Sequence, residues 1–391
     1  MITFEEALAM VRNSAVTPET EQVLLAHARG RVLAQDVFAD IEMPPFNKAA
    51  VDGYACRRQD LPGPLEVVEI IAAGVVPESV IAAGHCSKIM TGGMVPQGAD
   101  TIIMVEDTET LEDGSIMFAR EKTSANIAWK AEDVTLGQQV LSKGTLLKPQ
   151  HIAILAAMGV AEPLVYRRAV AGIISTGDEL VEPGQKPGPS QIRNSNAHQL
   201  MAQAEMMGLR TVYLGIASDT PESIRQILTE GFKTCDIILL TGGVSMGDFD
   251  YVPAVLNEME VQIQFKSIAV QPGRPTVFGI RGNKFLFGLP GNPVSSFVQF
   301  ELLVKPLAYK AMGYEYHPQI VRLPLARDFS RKKGSRKSFI PVRITPEGKI
   351  QPLEYHGSAH IHSYEGADGI MAVELGETFI AEGELRDVRQ L

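Results

Sequence analysis

AVAGIIST (169–176), DIILLTGG (236–243) and KFLFGLPG (284–291) are three apolar runs, and each breaks off in a turn rich in glycine or hydroxyl groups. A continuous apolar run of this length marks a strand buried on both faces, as in a parallel sheet covered by helices. Between the runs lie NAHQLMAQAEMMG (196–208), TVYLGIA (211–217) and SIRQILTEGF (223–232). These read as a helix, a strand and a helix, the last one started by Thr220-Pro221-Glu222 with proline where a missing N–H costs nothing. A final helix opens at Pro293 and runs on through VSSFVQFELLVKPLAYKAMG (294–313). Alternating strands and helices over 168–315 predict a doubly wound, mostly parallel α/β domain.

Ligands of such sheets bind beyond the carboxyl ends of the strands. The turns expected there are Ser175-Thr176-Gly177-Asp178-Glu179, Ser218-Asp219, Thr241-Gly242-Gly243-Val244-Ser245 with Asp250 beyond it, and Pro290-Gly291-Asn292-Pro293. Glycine lets a backbone approach a ligand and aim N–H groups at it. Helix starts beside the turns favour phosphate or another oxyanion. Glu179, Asp219 and Asp250 bring carboxylates to the same edge, where they would repel phosphate unless a cation lay between. Mg²⁺ bridging carboxylate and phosphate oxygens resolves that conflict. Taken singly, Asp219 reads as an N-cap and Glu179 and Asp250 as solvated turn residues. Three on one edge favour the functional reading.

Outside this segment the texture changes. Residues 3–12 read as an amphipathic helix, and Thr17-Pro18 as the start of a second one through ETEQVLLAHARG (19–30). VLAQDVFADIEMPPFN (32–47) is extended. From 51 to 139 short apolar runs alternate with glycine and proline, which reads as an inserted β-rich domain. IAILAAMG (152–159) is helical again, so residues 1–50 and 140–167 are expected to form one N-terminal mixed body. Residues 316–391 revert to short strands, IVRLPLA, SFIPVRI, GIMAVE and RDVRQL, and suggest a small β-barrel. With 391 residues the chain exceeds the roughly 250 to 300 that one core supports.

A net charge of −10 argues against nucleic acid and anionic membranes as partners. The Lys/Arg cluster at 331–337 reads as a solvated loop. Three scattered cysteines offer no disulfide framework and fit a reducing, cytoplasmic location. The stretch MITFEEALAMVRNSAVTPETEQ lacks the basic and apolar regions of a secretory leader, and no run reaches about 18 apolar residues. His198, His360 and His362 have no metal-ligand spacing and read as structural or solvent-facing. Trp129 lies among polar residues, either as core or as an aromatic face for a flat heterocycle. Asp52-Gly53, after Pro44-Pro45, reads equally as a hairpin turn or a functional one.

MPPFNKAAVDGYA (43–55), KIMTGGMVPQGADTIIMVED (88–107), ANIAWKAEDV (125–134), ISTGDELVEPGQ (174–185), IRNSN (192–196), TGGVSMGDFDYV (241–252), QPGRPTVFG (271–279) and GLPGNPVSS (288–296) occur in this order. With GADGIMAV (366–373), they make the chain similar to the MoeA family of molybdopterin molybdenumtransferases, to which the gephyrin E domain is related. The resemblance covers essentially the whole chain and implies a central domain of the MoaB/MogA type. It implies that adenylylated molybdopterin and molybdate give molybdenum cofactor, AMP and water, with Mg²⁺ as cofactor. It also implies a homodimer with a shared inter-subunit cleft, in which Asp52 serves a site whose Glu179, Asp219 and Asp250 come from the partner chain. The adenylyltransferase of the same pathway is a further implied partner.

Motif by motif, the resemblance assigns catalysis to Asp52, Glu179, Asp219 and Asp250, the last three as metal ligands. Substrate binding falls to Thr91, Asp133, Ser175, Thr176, Gly177, Asn196, Gly242, Gly243, Ser245, Arg274, Pro290, Gly291, Asn292 and Pro293. Two stretches depart from the family pattern. Ser267 and Gln271 stand where relatives often carry basic residues, with Lys266 shifted by one, and Asn47-Lys48 replaces a common acid–Asn pair. Two other readings compete: adenylyl transfer to molybdopterin, usually the work of a single α/β domain, and a non-catalytic interaction module with an apolar groove in its C-terminal domain.

Overall fold

A computed structural model of the chain describes residues 1–244, 251–354 and 357–391. In the α/β segment the strands are β1 (Val170–Thr176), β2 (Arg210–Ala217), β3 (Ile237–Thr241), β4 (Gln262–Phe265), β5 (Val277–Arg281) and β6 (Lys284–Leu289). They form one sheet in the order β2-β1-β3-β6-β5-β4. The pairs β1–β2, β1–β3 and β3–β6 are parallel, while β5 and β4 complete the sheet antiparallel. The chain leaves β1 for β2 on one side and returns to β3 on the other. The carboxyl ends of β1 and β3 therefore flank the topological switch point, where a crevice opens.

Period-2 alternation, with a helix layer on each face, explains the continuous apolar runs of the central strands β1, β3 and β6. Ile173, Leu239 and Phe287 point into one core with Leu200, Ala204, Val294 and Val298. Ile174, Leu240 and Leu286 point into another with Ile224, Leu228, Val255 and Leu256. Each face is thus sealed by helices, α1 (Ser195–Met206) and α4 (Pro293–Gln299) on one and α2 (Pro221–Thr234) and α3 (Val252–Glu258) on the other. Full burial of such a side chain contributes about 1.5–3 kcal/mol.

The N-cap of α2 is Thr220 rather than Asp219: the Ser223 N–H donates to Thr220 Oγ1 at 3.3 Å. Thr220→Ala is expected to cost about 1 kcal/mol, measurable as a lowered denaturant midpoint with unchanged m-value. The helix opened by Pro293 continues past α4 through a wide i→i+5 turn, Phe300–Val304, to Lys305–Ala311. There the buried Glu301 carboxylate accepts from Lys305 Nζ at 2.7 Å and Gln203 Nε2 at 2.8 Å.

By packing, the chain divides into Met1–Ala34, Gly144–Lys148 and Leu164–Leu391 on one hand and Gln35–Lys143 with Pro149–Pro163 on the other. In the first unit, Phe4–Asn13 is the expected N-terminal helix, started by a reciprocal cap between Thr3 and Glu6. The helix expected from Thr17 does not form. Thr20–Gln22 is instead a strand paired with Leu164–Tyr166, followed by a single 3₁₀ turn, Leu25–His27. Pairing with residues more than 140 positions away satisfies that backbone, and local propensity yields to it.

The four expected C-terminal strands appear as Ile320–Pro324, Lys337–Ile344, Gly369–Val373 and Leu385–Gln390. They form one sheet around Val342, Met371, Val373 and Val388, which Val270–Gln271 extends. The second unit holds a four-stranded sheet ordered Glu66–Ile71, His85–Ile89, Gly53–Cys56, Thr101–Met104, and the helix Pro149–Ala157. No helix among the described residues is long and apolar enough to cross a membrane.

Candidate functional site

At the carboxyl ends of β1, β3 and β6 lies a cavity of about 720 Å³. Of the residues singled out from the sequence it gathers Ser175, Thr176, Gly177, Glu179, Asn196, Asp219, Gly242, Gly243, Pro290, Gly291, Asn292 and Pro293. Ser245 and Asp250 lie outside the described residues. Arg274 lines a neighbouring cavity of about 290 Å³, which shares Pro275, Pro290 and Asn292 with the larger one.

Close backbone packing builds the cavity floor. Gly242 (φ +96°) and Gly243 (φ +61°) are in the left-handed region, and a Cβ added to Gly242 would meet the Thr176 carbonyl oxygen at 2.5 Å. Gly291 would place its Cβ 3.6 Å from Gly242 Cα. Three strand ends thus converge with no side chain between them, and at 242 and 243 only glycine permits it. Thr176 is 4% exposed, and its hydroxyl has no hydrogen-bond partner among the described residues. A buried, unpaired hydroxyl is costly, and this one belongs to a residue that lines the cavity.

Ser175 and Asn196 are already engaged. Asn196 Nδ2 donates to Thr241 Oγ1 at 2.9 Å and to the Gly291 carbonyl at 2.7 Å, while Thr241 Oγ1 donates to the Pro290 carbonyl at 3.1 Å. These bonds tie the first turn of α1 to the loop after β6. Ser175 Oγ donates to Asn194 Oδ1 at 2.9 Å, Asn194 Nδ2 donates to the Tyr213 hydroxyl at 2.9 Å, and that hydroxyl donates to Glu182 Oε1 at 2.5 Å. Burial, reinforced by Glu182, pushes the Tyr213 phenol up, so it stays a donor. Asn194 and Tyr213 were not singled out from the sequence. IRNSN, with an asparagine directly before a helix, held the available signal: Asn194 caps α1.

Glu179 is exposed and its carboxylate folds over Gly177, whose φ is +145°. Asp219 is half-buried, and its N–H donates to Asp178 Oδ1 at 3.3 Å. No group of three His, Cys, Asp or Glu able to hold a metal occurs among the described residues. Two carboxylates on one cavity nevertheless suit Mg²⁺, which keeps several waters and binds through one or two carboxylates plus substrate phosphate. Glu179 and Asp219 would hold it. His362, read from the sequence as structural or solvent-facing, is exposed and lines the cavity.

The larger cavity carries one guanidinium, Arg193, and the smaller one adds two more, Arg274 and Arg336. Ser358, on its wall, accepts from Asn292 Nδ2 at 2.8 Å and fixes the edge between the two spaces. Arg336 belongs to the 331–337 cluster read from the sequence as a solvated loop, and that reading fails for it: the residue is half-buried and lines this cavity. Ser358 went unnoticed in the sequence because its loop meets the 290–293 turn only in the folded chain.

In the other unit, Thr91 donates to Asp52 Oδ1 twice, from its N–H and its hydroxyl, each at 2.6 Å. Those two bonds hold the exposed Asp52 carboxyl below its ordinary value. The term they contribute to stability is present above the unfolded-state value, about 3.9, and is lost as pH falls through the lower native value. Thr91→Val removes the hydroxyl bond and keeps the N–H bond, so the Asp52 titration is expected to move up part of the way to its ordinary value, followed by carboxyl-carbon NMR, and the acid limb of stability to become shallower. Asp133 is exposed, and its N–H donates to the Met43 carbonyl at 2.9 Å. Trp129 is 43% exposed and so is not core.

Three family descriptions match successive parts of the chain: MoeA N-terminal region (domain I and II) over residues 2–159, probable molybdopterin binding domain over 172–310, and MoeA C-terminal region (domain IV) over 322–391. The molybdopterin molybdenumtransferase of Bacillus subtilis (strain 168) is 38% identical, over 96% of this chain and 90% of its own length. That of Staphylococcus epidermidis (strain ATCC 12228 / FDA PCI 1200) is 34% identical, over 99% and 95%. Among solved structures, the molybdopterin biosynthesis MoeA protein of Pyrococcus horikoshii OT3 superposes with a TM-score of 0.86 at 30% identity, covering 100% of both chains.

Proposed function

The chain belongs to the MoeA family of molybdopterin molybdenumtransferases, and from that premise we propose that the cavity at the carboxyl ends of β1, β3 and β6 is where adenylylated molybdopterin receives molybdenum. Membership makes it a transferase of molybdenum cofactor biosynthesis. The observation that carries the site assignment is the convergence of three glycine-bearing strand ends with Glu179 and Asp219 on one cavity.

Each part of the reaction then falls to residues of this chain. The Gly242-Gly243 and Gly291 backbones leave room for phosphate oxygens, and Thr176 Oγ supplies a preorganised donor to one of them. Asn196, Thr241 and the Ser175–Asn194–Tyr213 chain hold those turns in place, so little reorganisation is needed when charge develops. Arg274 and Arg336 offer charge-assisted hydrogen bonds to a dianion the size of molybdate beside the pyrophosphate. They compensate for the neutral residues Ser267 and Gln271. Glu179 and Asp219 would hold Mg²⁺, which would supply neutralisation of phosphate charge and activation of the phosphoanhydride. An oxygen from water or molybdate replaces the pterin phosphate at the adenylyl phosphorus, so that AMP leaves, and the two dithiolene sulfurs displace molybdate oxygen, which leaves as water.

The finer parts of the reading are a homodimer in which Asp52, Thr91 and Asp133 of one subunit face the cleft of the other, a cytoplasmic location, and supply of substrate by an adenylyltransferase. The division into four domains at about residues 50, 140, 168 and 316 belongs with them. The test is incubation of the purified chain with adenylylated molybdopterin, molybdate and Mg²⁺. AMP and molybdenum-loaded pterin in equal amounts are expected. Adenylylated pterin made from ATP and molybdopterin, without such insertion, would instead support the adenylyl-transfer reading.

A further inference from the structure

At the other end of the same sheet the chain gathers arginines. Arg167 and Arg168 immediately precede β1, Arg210 opens β2 opposite Val170, and the turn at 26–31 brings Arg29 and Arg31 against them. The five guanidiniums line one cavity of about 540 Å³. Seven residues of β1 separate it from the strand ends that form the pterin site, roughly 20 Å. Such crowding is unexpected in a chain whose net charge is −10.

Only part of this charge is neutralised. Arg31 is 7% exposed, donates to the Tyr166 carbonyl at 2.8 Å and pairs with Glu21. Arg167 is held by Glu19 at 2.7 Å and by Asp236 at 3.1 Å. Asp236 also accepts from the Val170 N–H and is shared with Lys284. Three carboxylates therefore face five guanidiniums. The Nε atoms of Arg31 and Arg168 are buried with no hydrogen-bond partner among the described residues. Burial, followed by the neighbouring Arg31 charge, lowers the affinity of Arg168 for its proton. Buried unpaired donors and facing like charges both raise the free energy of the empty site, and a bound anion would relieve both.

We propose that this cavity is a second anion site, separate from the pterin site, that binds a phosphate-bearing small molecule. At least two guanidinium charges are left uncompensated, enough for a phosphate-type dianion, and the planar guanidinium forks suit its oxygens. The lining holds no Phe, Tyr or Trp on which a nucleobase would stack, so recognition rests on the oxyanion. The volume exceeds that of one phosphate group and leaves room for its substituent.

The test is calorimetric titration of the full chain with pyrophosphate in EDTA, which keeps cation-dependent binding at the carboxylate site silent. Saturable binding is expected in the wild type and in Asp219→Asn, weakened at least tenfold in Arg168→Gln and in Arg210→Gln. Arg210 is exposed, so its replacement leaves the fold intact, and thermal melting checks Arg168→Gln independently. Pyrophosphate is expected to raise the melting temperature of the wild type and not that of the arginine variants. No binding to the wild type, or equal affinity in folded Arg210→Gln, overturns the proposal.

Discussion

Replacing Asp219 with Asn is expected to slow AMP release from adenylylated molybdopterin about a thousandfold, because about 4 kcal/mol of charge stabilisation leaves the transition state. Asn keeps the side-chain volume and removes the charge that lets a divalent cation sit between protein and phosphate. The loss is not attributable to the fold: the α2 cap is Thr220, and Asp219 lines the cavity outside both hydrophobic cores. Glu179→Gln should act in the same direction. The double variant should lose much less than the product of the two effects, since both carboxylates serve one function. The measurement is initial-rate quantification of AMP at saturating molybdate. Activity within tenfold of wild type for Asp219→Asn would remove that carboxylate from the mechanism.

Gly242→Ala is expected to destabilise the protein by about 2–4 kcal/mol and to abolish turnover in whatever fraction folds. Two costs add. The backbone is at φ +96°, which an L side chain rarely adopts, and the new methyl would stand 2.5 Å from the Thr176 carbonyl oxygen. Relief requires β3 and β1 to part at their carboxyl ends, which opens the cavity floor. Gly184 is the internal control. An added Cβ there meets nothing within 4 Å and needs no left-handed backbone, so Gly184→Ala should be neutral or stabilising by about 0.4–1 kcal/mol. Urea unfolding of both variants beside the wild type checks the pair. Equal midpoints for Gly242→Ala and wild type would mean that the strand ends are not packed as described.

The parts of the fold legible in the sequence were those whose burial is symmetric. β1, β3 and β6 carry continuous apolar runs, interrupted only by polar residues at their ends, because helices cover both faces, and that pattern survives without knowledge of the partners. β4 and β5 were missed for the opposite reason. QIQF is short and half polar, and VFGIR follows the Pro-Gly-Arg-Pro turn; β5 becomes a strand by pairing with β6, and β4 by pairing with β5 at the sheet edge. The failed helix at 19–30 belongs to the same class.

At the site, the glycines and carboxylates were legible because turn chemistry is local. What completes the cavity is not local. Asn194 reaches Tyr213, and Asn292 reaches Ser358 across 66 positions. Arg336 and His362 arrive from the C-terminal segment. Ser175 and Asn196 were nominated correctly as lining the cavity, yet the bonds they make assign them to holding its walls.

A crystal structure of the chain with adenylylated molybdopterin bound tests the central assignment most directly. The pyrophosphate is expected against Thr176, Gly242-Gly243 and Gly291, with the Thr176 hydroxyl donating to a phosphate oxygen and Glu179 and Asp219 on the same side of it. A ligand bound away from the carboxyl ends of β1, β3 and β6, with Thr176 Oγ still unpaired, would contradict the account.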